Sequence, residues 1–354
     1  MNLEQHILST IYKKKPSKPI RVLFPEGENE KIQVVALKLL ENTFFYIDKN
    51  GGLKTIKIKD IIEPVLLFHE SENIPQEIAN RISIIKTTDQ KKIAQKLYEI
   101  RKEKGLTLEQ AQKLVANKNY YGMMLLELNL VDCLVGGINY KTSDILRPAL
   151  QIIKSDKKTV SSAFIMNHYN ETYIFADCSI NIFPTVEQLF DIANSTINFA
   201  LDFDFKTFDS VNFKELNVAM LSYSTNGSSA GTSVDNVRTV SQKLSQLTWK
   251  TDQKINIAGE IQFDAAFDET IRNKKFPSLD IKGPCNIFIF PDLESGNIGY
   301  KIAQRLGKFK AIGPIILGLK KPVNDLSRGA TIDDIYDTAL ISCAQKFLKV
   351  NESS

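Results

Sequence analysis

The stretch GPIILGLKKPVNDLSRGATIDDI, from Gly313 to Ile335, has the pattern of a buried strand, a polar loop and a helix start. Gly329 ends the loop, and Thr331 with Asp334 three residues later matches a capping box, which predicts a helix over residues 332–347. Because ligands of open α/β sheets bind beyond the carboxyl ends of strands, the loop is a candidate binding site. Its amide, carboxylate, hydroxyl and guanidinium belong to Asn324, Asp325, Ser327 and Arg328.

Strands and helices alternate along the chain, which predicts an α/β fold with helices covering a mainly parallel sheet. RVLF is a predicted strand that precedes a helix over residues 30–40, and VDCLVGG is a second buried strand. The turn KNGG near Asn50 predicts a small hairpin added at a sheet edge. At 354 residues the chain is long enough for two domains, and the charged segment 154–159 is the predicted boundary between them.

Composition excludes several classes of protein. The chain has no run of eighteen apolar residues, so we expect no membrane span. The N-terminus lacks the features of a secretory signal. The four cysteines show no CxxC spacing, so we expect neither a zinc site nor a disulfide framework. A net charge of +4 is too small to argue for nucleic acid. We therefore expect a cytoplasmic protein with no metal, no membrane and no nucleic-acid partner.

Seven segments resemble the phosphate acetyltransferase family and follow one another in the family's order. They are FPEGEN, VGGINYKTSDILRPALQIIK, FADCSIN, SYSTNGSSAG, GEIQFDAA, FPDLESGNIGYKIAQRLG and KPVNDLSRG. The resemblance implies an enzyme that interconverts acetyl-CoA plus phosphate with acetyl phosphate plus CoA, without a cofactor, as a homodimer. It also implies two α/β/α domains with mainly parallel sheets facing across an interdomain cleft. The first domain is expected at residues 1–156 plus 313–354, and the second at residues 157–312.

Asp334 has two competing interpretations. Attack on acetyl phosphate requires a CoA thiolate, and the resemblance assigns the base that makes it to Asp334. The residues alone favour a helix cap, because a carboxylate at the third helical position is what a capping box uses. A helix N-terminus also lowers a carboxylate's pKa, which weakens it as a base.

Ser327 and Arg328 resemble the family's serine–arginine pair beside the reacting centre. A guanidinium matches phosphate oxygens in bidentate fashion, so Arg328 is expected to neutralise the departing phosphoryl group. Ser327 is expected to orient the base or to donate to the developing oxyanion. Without the surrounding motif, a solvated loop arginine and a turn serine are the alternatives. Asn324 in the same loop is a further expected substrate contact.

Arg101 and Arg147 match the two arginines that the family uses for CoA and phosphate contacts. Arg101 ends a predicted helix, where a cation also complements the helix dipole, so its position has a purely structural alternative. Arg147 is predicted to open a helix, where a cation is unfavourable, and this points to a ligand. Thr142, in the polar loop KTSD before it, is an expected substrate contact.

Two further pairs complete the expected substrate contacts. Ser224 and Thr225 lie in STNGSSAGT, which offers amides and hydroxyls to a phosphate but is not a P-loop, and a plain connector is its alternative. Tyr300 and Lys301 begin a predicted helix.

Where the family commonly has histidine and glutamine, this chain has Tyr140 and Leu317, which leaves acyl preference open. The rival functions are phosphate butyryltransferase and a catalytically silent, CoA-binding regulatory relative.

Overall fold

The computed structural model describes residues 3–48, 50–155, 157–169, 171–203, 205 and 214–347. It divides into two compact units. The N-terminal unit comprises Leu3–Asp156 and Leu319–Phe347, and the central unit comprises Lys157–Gly318. Among the described residues, no helix is both long and apolar enough to cross a membrane.

The elements are numbered along the chain. The strands are β1 Ile20–Phe24, β2 Thr43–Ile47, β3 Leu53–Lys57, β4 Ile62–Phe68, β5 Ser83–Lys86, β6 Cys133–Gly136, β7 Ser161–His168, β8 Glu171–Ala176, β9 Leu216–Leu221, β10 Ile255–Ile261, β11 Ile287–Ile289, β12 Lys310–Leu317 and β13 Val323–Asp325. The helices are α1 Leu3–Lys13, α2 Glu30–Glu41, α3 Gln76–Arg81, α4 Gln90–Arg101, α5 Leu108–Val115, α6 Lys118–Glu127, α7 Thr142–Pro148, α8 Val186–Asp202, α9 Thr232–Ser245, α10 Phe263–Phe267, α11 Glu269–Lys275, α12 Leu293–Arg305 and α13 Ile332–Gln345.

The N-terminal unit has a five-stranded sheet in the order β13-β6-β1-β4-β5, with every neighbouring pair parallel. The three central strands β1, β4 and β6 are mostly apolar and buried, as is typical of parallel strands that are covered on both faces. One face packs against α4, α5 and α6 through a cluster that includes Leu23, Val65 and Leu67. α13 packs against α1, α2, β1 and β6. The unit is therefore an α/β fold with a parallel sheet, as predicted.

The central unit has a six-stranded sheet in the order β10-β9-β11-β8-β7-β12. The pairs from β10 to β8 are parallel, whereas β7 pairs antiparallel with both β8 and β12. An aromatic cluster that includes Phe164, Phe175 and Phe288 forms its core together with residues of α10. The prediction of two α/β units with mainly parallel sheets is confirmed.

The C-terminal return of the chain differs in detail from its predicted position. The sequence places residues 313–354 in the first domain, but residues 313–318 lie in the central unit because β12 pairs with β7 there. The return begins at residue 319, and the short strand β13 then pairs with β6. β13 lies inside the stretch that was predicted as a loop. The strand was not predicted because its three residues include Asn324 and Asp325 and show no alternation of apolar and polar residues. Residues 348–354 lie outside the described residues.

The hairpin near Asn50 exists, but not at the edge of a larger sheet. β2 and β3 pair only with each other and form a separate two-stranded sheet. Tyr12 of α1 meets Phe44 and Tyr46 of β2, with ring centroids 6.1 and 4.8 Å away. The hairpin is therefore attached to the unit through α1, and the prediction of an edge addition is wrong.

Candidate functional site

The strand order of the N-terminal unit marks the carboxyl ends of β1, β6 and β13 as a candidate ligand site. The chain leaves β1 towards β4 on one side, while β6 and β13 lie on the other, so the order reverses beside β1. Such a reversal is where open α/β sheets bind ligands. Asp325, the last residue of β13, lies in register with Gly136, the last residue of β6. We call this region the carboxyl edge.

Glu26 follows β1 and is fully buried at the carboxyl edge. Its Oε2 accepts a hydrogen bond from the Gly137 amide at 2.7 Å, and its Oε1 accepts one from the Asn139 amide at 2.6 Å. Burial raises the pKa of Glu26, and these amides oppose the rise. One carboxylate thus holds two amides of the turn that follows β6.

Asp325 is a second buried carboxyl group at the carboxyl edge, with 2% of its surface exposed. The Thr142 hydroxyl donates to its Oδ2 at 2.6 Å, while Oδ1 has no hydrogen-bond partner within the described part of the chain. Burial raises the pKa of Asp325 to about 7, and the nearby Glu26 contributes to the rise. Gly137 has a φ of +115°, and a Cβ there would overlap Asp325 Oδ1, so only glycine fits.

The loop after β13 is tethered to the turn after β6. The Leu326 amide donates to the Gly136 carbonyl at 2.8 Å, and Arg328 Nε donates to the Tyr140 carbonyl at 3.4 Å. Arg328 is exposed and forms no ion pair with the described residues. Ser327 is also exposed, and its Oγ accepts from the Gly329 amide at 3.4 Å. The structure therefore brings Thr142, Ser327 and Arg328 to one surface.

Asp334 forms the predicted capping box at the start of α13. Its Oδ2 accepts hydrogen bonds from the amide and the hydroxyl of Thr331, at 2.9 and 2.7 Å. The Thr331 hydroxyl in turn accepts from the Asp334 amide at 3.1 Å. The cap is confirmed. The Asp334 side chain is half-buried, and within the described residues its Oδ1 accepts no hydrogen bond. That oxygen is therefore available to accept a proton from a substrate.

Arg101 and Arg147 lie in one cavity of about 480 Å³ in the N-terminal unit. Lys104 and Lys113 also line it, together with the apolar side chains of Leu97, Leu106 and Leu114. Arg101 Nη1 donates to the Gln151 carbonyl at 3.3 Å, which directs the guanidinium into the cavity wall. Four cations and three leucines in one lining suit a ligand that joins phosphate groups to an apolar or aromatic body.

The position of Arg147 in its helix was predicted wrongly. α7 begins at Thr142, so Arg147 lies in its last turn rather than at its start. The chain continues as a π-helix over Ala149–Ile153, so Arg147 lies within a helical run and the dipole argument for a ligand does not hold. The cavity shared with Arg101 is the observation that supports a binding role.

Three of the expected substrate contacts have buried side chains with internal partners. Asn324 is fully buried, and its Nδ2 donates to Ser342 and Gln345 of α13, each at 2.6 Å. These bonds attach β13 to α13. Ser224 and Thr225 are 0% and 3% exposed, and their hydroxyls bond to Glu260 and Gln262. These three side chains therefore bond within the protein rather than face solvent, and we revise their expected role as direct substrate contacts.

Tyr300 and Lys301 lie in the middle of α12 in the central unit, because the helix begins at Leu293 and not at these residues as predicted. The Tyr300 ring stacks on Phe164 with centroids 4.2 Å apart, and burial raises its pKa. The Lys301 side chain is exposed, with its Nζ 5.8 Å from the Tyr300 ring centroid. Of the two, Lys301 is the one available to a ligand.

A buried lysine at the carboxyl edge was missed by the sequence analysis. Lys118, the first residue of α6, is 7% exposed and bonds to Glu28 and to Glu72, the latter at 3.0 Å. Burial lowers the pKa of Lys118, but the two carboxylates outweigh it and the net pKa is raised. Glu26 and Glu28 both stand in FPEGEN, so that segment was the available signal. Its partners lie up to 113 residues away, beyond any local pattern.

Comparison with known proteins identifies the family of this chain. A family model described as "Phosphate acetyl/butaryl transferase" matches residues 6–343. The phosphate acetyltransferase of Mycoplasma capricolum is 44% identical over 329 residues, covering 91% of this chain and 92% of that protein. That of Bacillus subtilis is 40% identical, covering 96% and 98%. A phosphotransacetylase structure from Streptococcus pyogenes superposes with a TM-score of 0.78 at 37% identity, covering 98% and 99%. This chain therefore belongs to the phosphate acetyl/butyryl transferase family.

Proposed function

We propose that this chain is a phosphate acetyltransferase, which interconverts acetyl-CoA plus phosphate with acetyl phosphate plus CoA. The observation that supports the proposal most is the environment of Arg328. Its Nε donates a hydrogen bond to the Tyr140 carbonyl, and no carboxylate among the described residues forms an ion pair with the Arg328 guanidinium. Its terminal nitrogens are thus available to a phosphate. The phosphate acetyltransferases at 44% and 40% identity support the same activity.

The reaction needs no cofactor. The CoA thiol loses its proton to Asp334, and the thiolate attacks the acetyl carbonyl of acetyl phosphate in a ternary complex. A carbon–sulfur bond forms, the bond between the carbonyl carbon and the bridging oxygen breaks, and phosphate leaves. Arg328 neutralises the charge on the phosphate, and Ser327 with nearby amides donates to the oxyanion. The reverse reaction follows the same steps with Asp334 returning the proton.

The cavity with Arg101 and Arg147 is our proposed site for the phosphate-bearing end of CoA. We predict that Arg101→Ala and Arg147→Ala each raise the KM for CoA about 10- to 100-fold, since a lost charge-assisted hydrogen bond costs about 1.5–3 kcal/mol. The KM for acetyl phosphate should change less than about twofold. Initial rates at varied CoA check this. Arg81→Ala, which removes an exposed arginine paired with Glu41, is the matched control. An unchanged KM for CoA in both variants would show that this cavity is not the CoA site.

We also propose that the protein is a cytoplasmic homodimer. The four cysteines are free and buried, which suits a reducing compartment. Ile298 and Ile302 of α12 and Leu306, its C-cap, are spaced four residues apart, with 58%, 53% and 81% of their surfaces exposed. Such a stripe is suited to a partner subunit. Sedimentation velocity of the wild type and of Ile302→Asp tests this: we expect a dimer and a monomer respectively, and a monomeric wild type would overturn the proposal.

Phosphate-dependent release of CoA from acetyl-CoA, with butyryl-CoA in parallel, tests the activity itself. We expect turnover of acetyl-CoA to exceed that of butyryl-CoA at every phosphate concentration. Preference for butyryl-CoA would identify a phosphate butyryltransferase, which the same family model includes. Binding of CoA without turnover of either substrate would identify a silent regulatory relative.

A further inference from the structure

The turn between β6 and α7, residues 137–140, has an unusual anchor. It is held not by its own side chains but by Glu26, which lies 111 residues earlier in the chain than Gly137. Glu26 Oε2 and Oε1 accept from the amides of Gly137 and Asn139, at 2.7 and 2.6 Å. The Tyr140 amide then closes the turn on the Gly137 carbonyl at 3.2 Å. Glu26 therefore holds two amides of the turn from which the Tyr140 carbonyl projects, while the Lys141 amide that follows donates to Asp144 Oδ2 at 3.2 Å.

The same turn supports the loop that carries Arg328. The Tyr140 carbonyl is the acceptor for Arg328 Nε, and the Leu326 amide bonds to Gly136 immediately before the turn. A continuous series of contacts thus runs from the Glu26 carboxylate through two backbone amides to the Tyr140 carbonyl and on to the Arg328 guanidinium. Glu26 itself is fully buried, so it cannot contact substrate from solvent.

We propose that Glu26 is a positioning residue for phosphate: it holds the turn 137–140 so that the Tyr140 carbonyl fixes the Arg328 guanidinium facing the phosphoryl group. This inference rests on the proposed function, in which Arg328 binds phosphate. It extends the site to a residue that never touches substrate.

Only a carboxylate fits this role well. Two amides converge on Glu26, and an ionised carboxylate accepts at both oxygens. A glutamine in its place accepts at one oxygen and turns an NH₂ group towards the other amide, which leaves a buried N–H without a partner. We therefore expect Glu26→Gln to loosen the turn without removing a large side chain from the core.

A double-mutant cycle between Glu26→Gln and Arg328→Ala tests the proposal. We expect Glu26→Gln alone to raise the KM for phosphate at least tenfold in acetyl-CoA phosphorolysis, with the KM for acetyl-CoA changed less than twofold. In the Arg328→Ala background, the same substitution should raise the KM for phosphate less than about twofold further. A general loss of structure would affect both substrates in both backgrounds. Glu63→Gln, a glutamate on β4 that pairs with Arg21, is the matched control.

The outcomes separate the inference from the function on which it rests. If Glu26→Gln raises the phosphate KM by the same factor with and without Arg328, or raises both substrate KM values equally, the positioning role is overturned and the proposed function stands. If Arg328→Ala leaves the phosphate KM unchanged, the positioning role and the assignment of Arg328 to phosphate are both overturned, whereas absence of acetyl-CoA turnover by the wild type overturns the proposed function. If Glu26→Gln does not fold, Glu26→Asp serves in its place, since the shorter carboxylate keeps the charge; the same non-additive cycle is expected, and additivity overturns the inference.

Discussion

Replacement of Asp334 by asparagine is expected to lower kcat about 10²- to 10⁴-fold, the usual contribution of a general base. The helix should survive the change, because the asparagine side-chain oxygen can accept the same hydrogen bonds from Thr331 that Asp334 Oδ2 accepts, at 2.9 and 2.7 Å. The substitution therefore removes the base and keeps the cap. Steady-state rates and thermal unfolding of the same preparation separate the two effects.

Thr331→Ala is the reciprocal variant. It removes the capping hydroxyl and keeps the Asp334 carboxylate, so we expect a loss of about 1 kcal/mol in stability. We expect kcat to stay within about tenfold of the wild type. If Asp334→Asn retains full kcat, the carboxylate is a helix cap only and the base must be sought elsewhere.

Asp325→Asn is expected to change how stability depends on pH. Burial raises the pKa of Asp325 from 3.8 to about 7, so the folded chain binds a proton more tightly than the unfolded chain. The stabilisation from the protonated form is complete below the unfolded pKa and is lost as pH rises through about 7. Between the unfolded pKa of 3.8 and a pH above about 7, the free energy of unfolding of the wild type should fall by about 4 kcal/mol because of Asp325. Asparagine does not titrate and should lose none.

Urea unfolding of the wild type and of Asp325→Asn at pH 5 and pH 8 measures this difference. We expect the stability of the variant relative to the wild type to increase by about 2–3 kcal/mol between the two pH values. Asp333→Asn, which removes a largely exposed carboxylate from α13, controls for the loss of one charge. A difference between variant and wild type that does not depend on pH would show that Asp325 is ionised in the folded state throughout this range.

Local patterns in the sequence predicted much of the fold. The capping box at Thr331 formed as the spacing of Thr331 and Asp334 requires, because a cap depends on residues three apart. The alternation of strands and helices correctly indicated mainly parallel sheets. The position of the C-terminal return was not predictable in the same way, because β12 is placed by pairing with β7, about 150 residues earlier.

The candidate site was predictable only in part. Arg328 and Asp334 were singled out by a motif, and Arg101 and Arg147 do share a cavity. The burial of Asn324 was not foreseen, because a polar residue in a three-residue strand has no signature until its partners on α13 are known. Glu26 was visible only as part of FPEGEN, since its role depends on amides more than 100 residues away.

The measurement that tests the central claim most directly is the rate of phosphate-dependent CoA release from acetyl-CoA by the wild type and by Arg328→Ala, over a range of phosphate concentrations. We predict turnover by the wild type and a fall of about 10²-fold or more in kcat/KM for phosphate in the variant, the size expected for a donor to developing charge. Equal kcat/KM values in the two proteins, both folded, would contradict the assignment of Arg328 to phosphate and with it the site at the carboxyl edge.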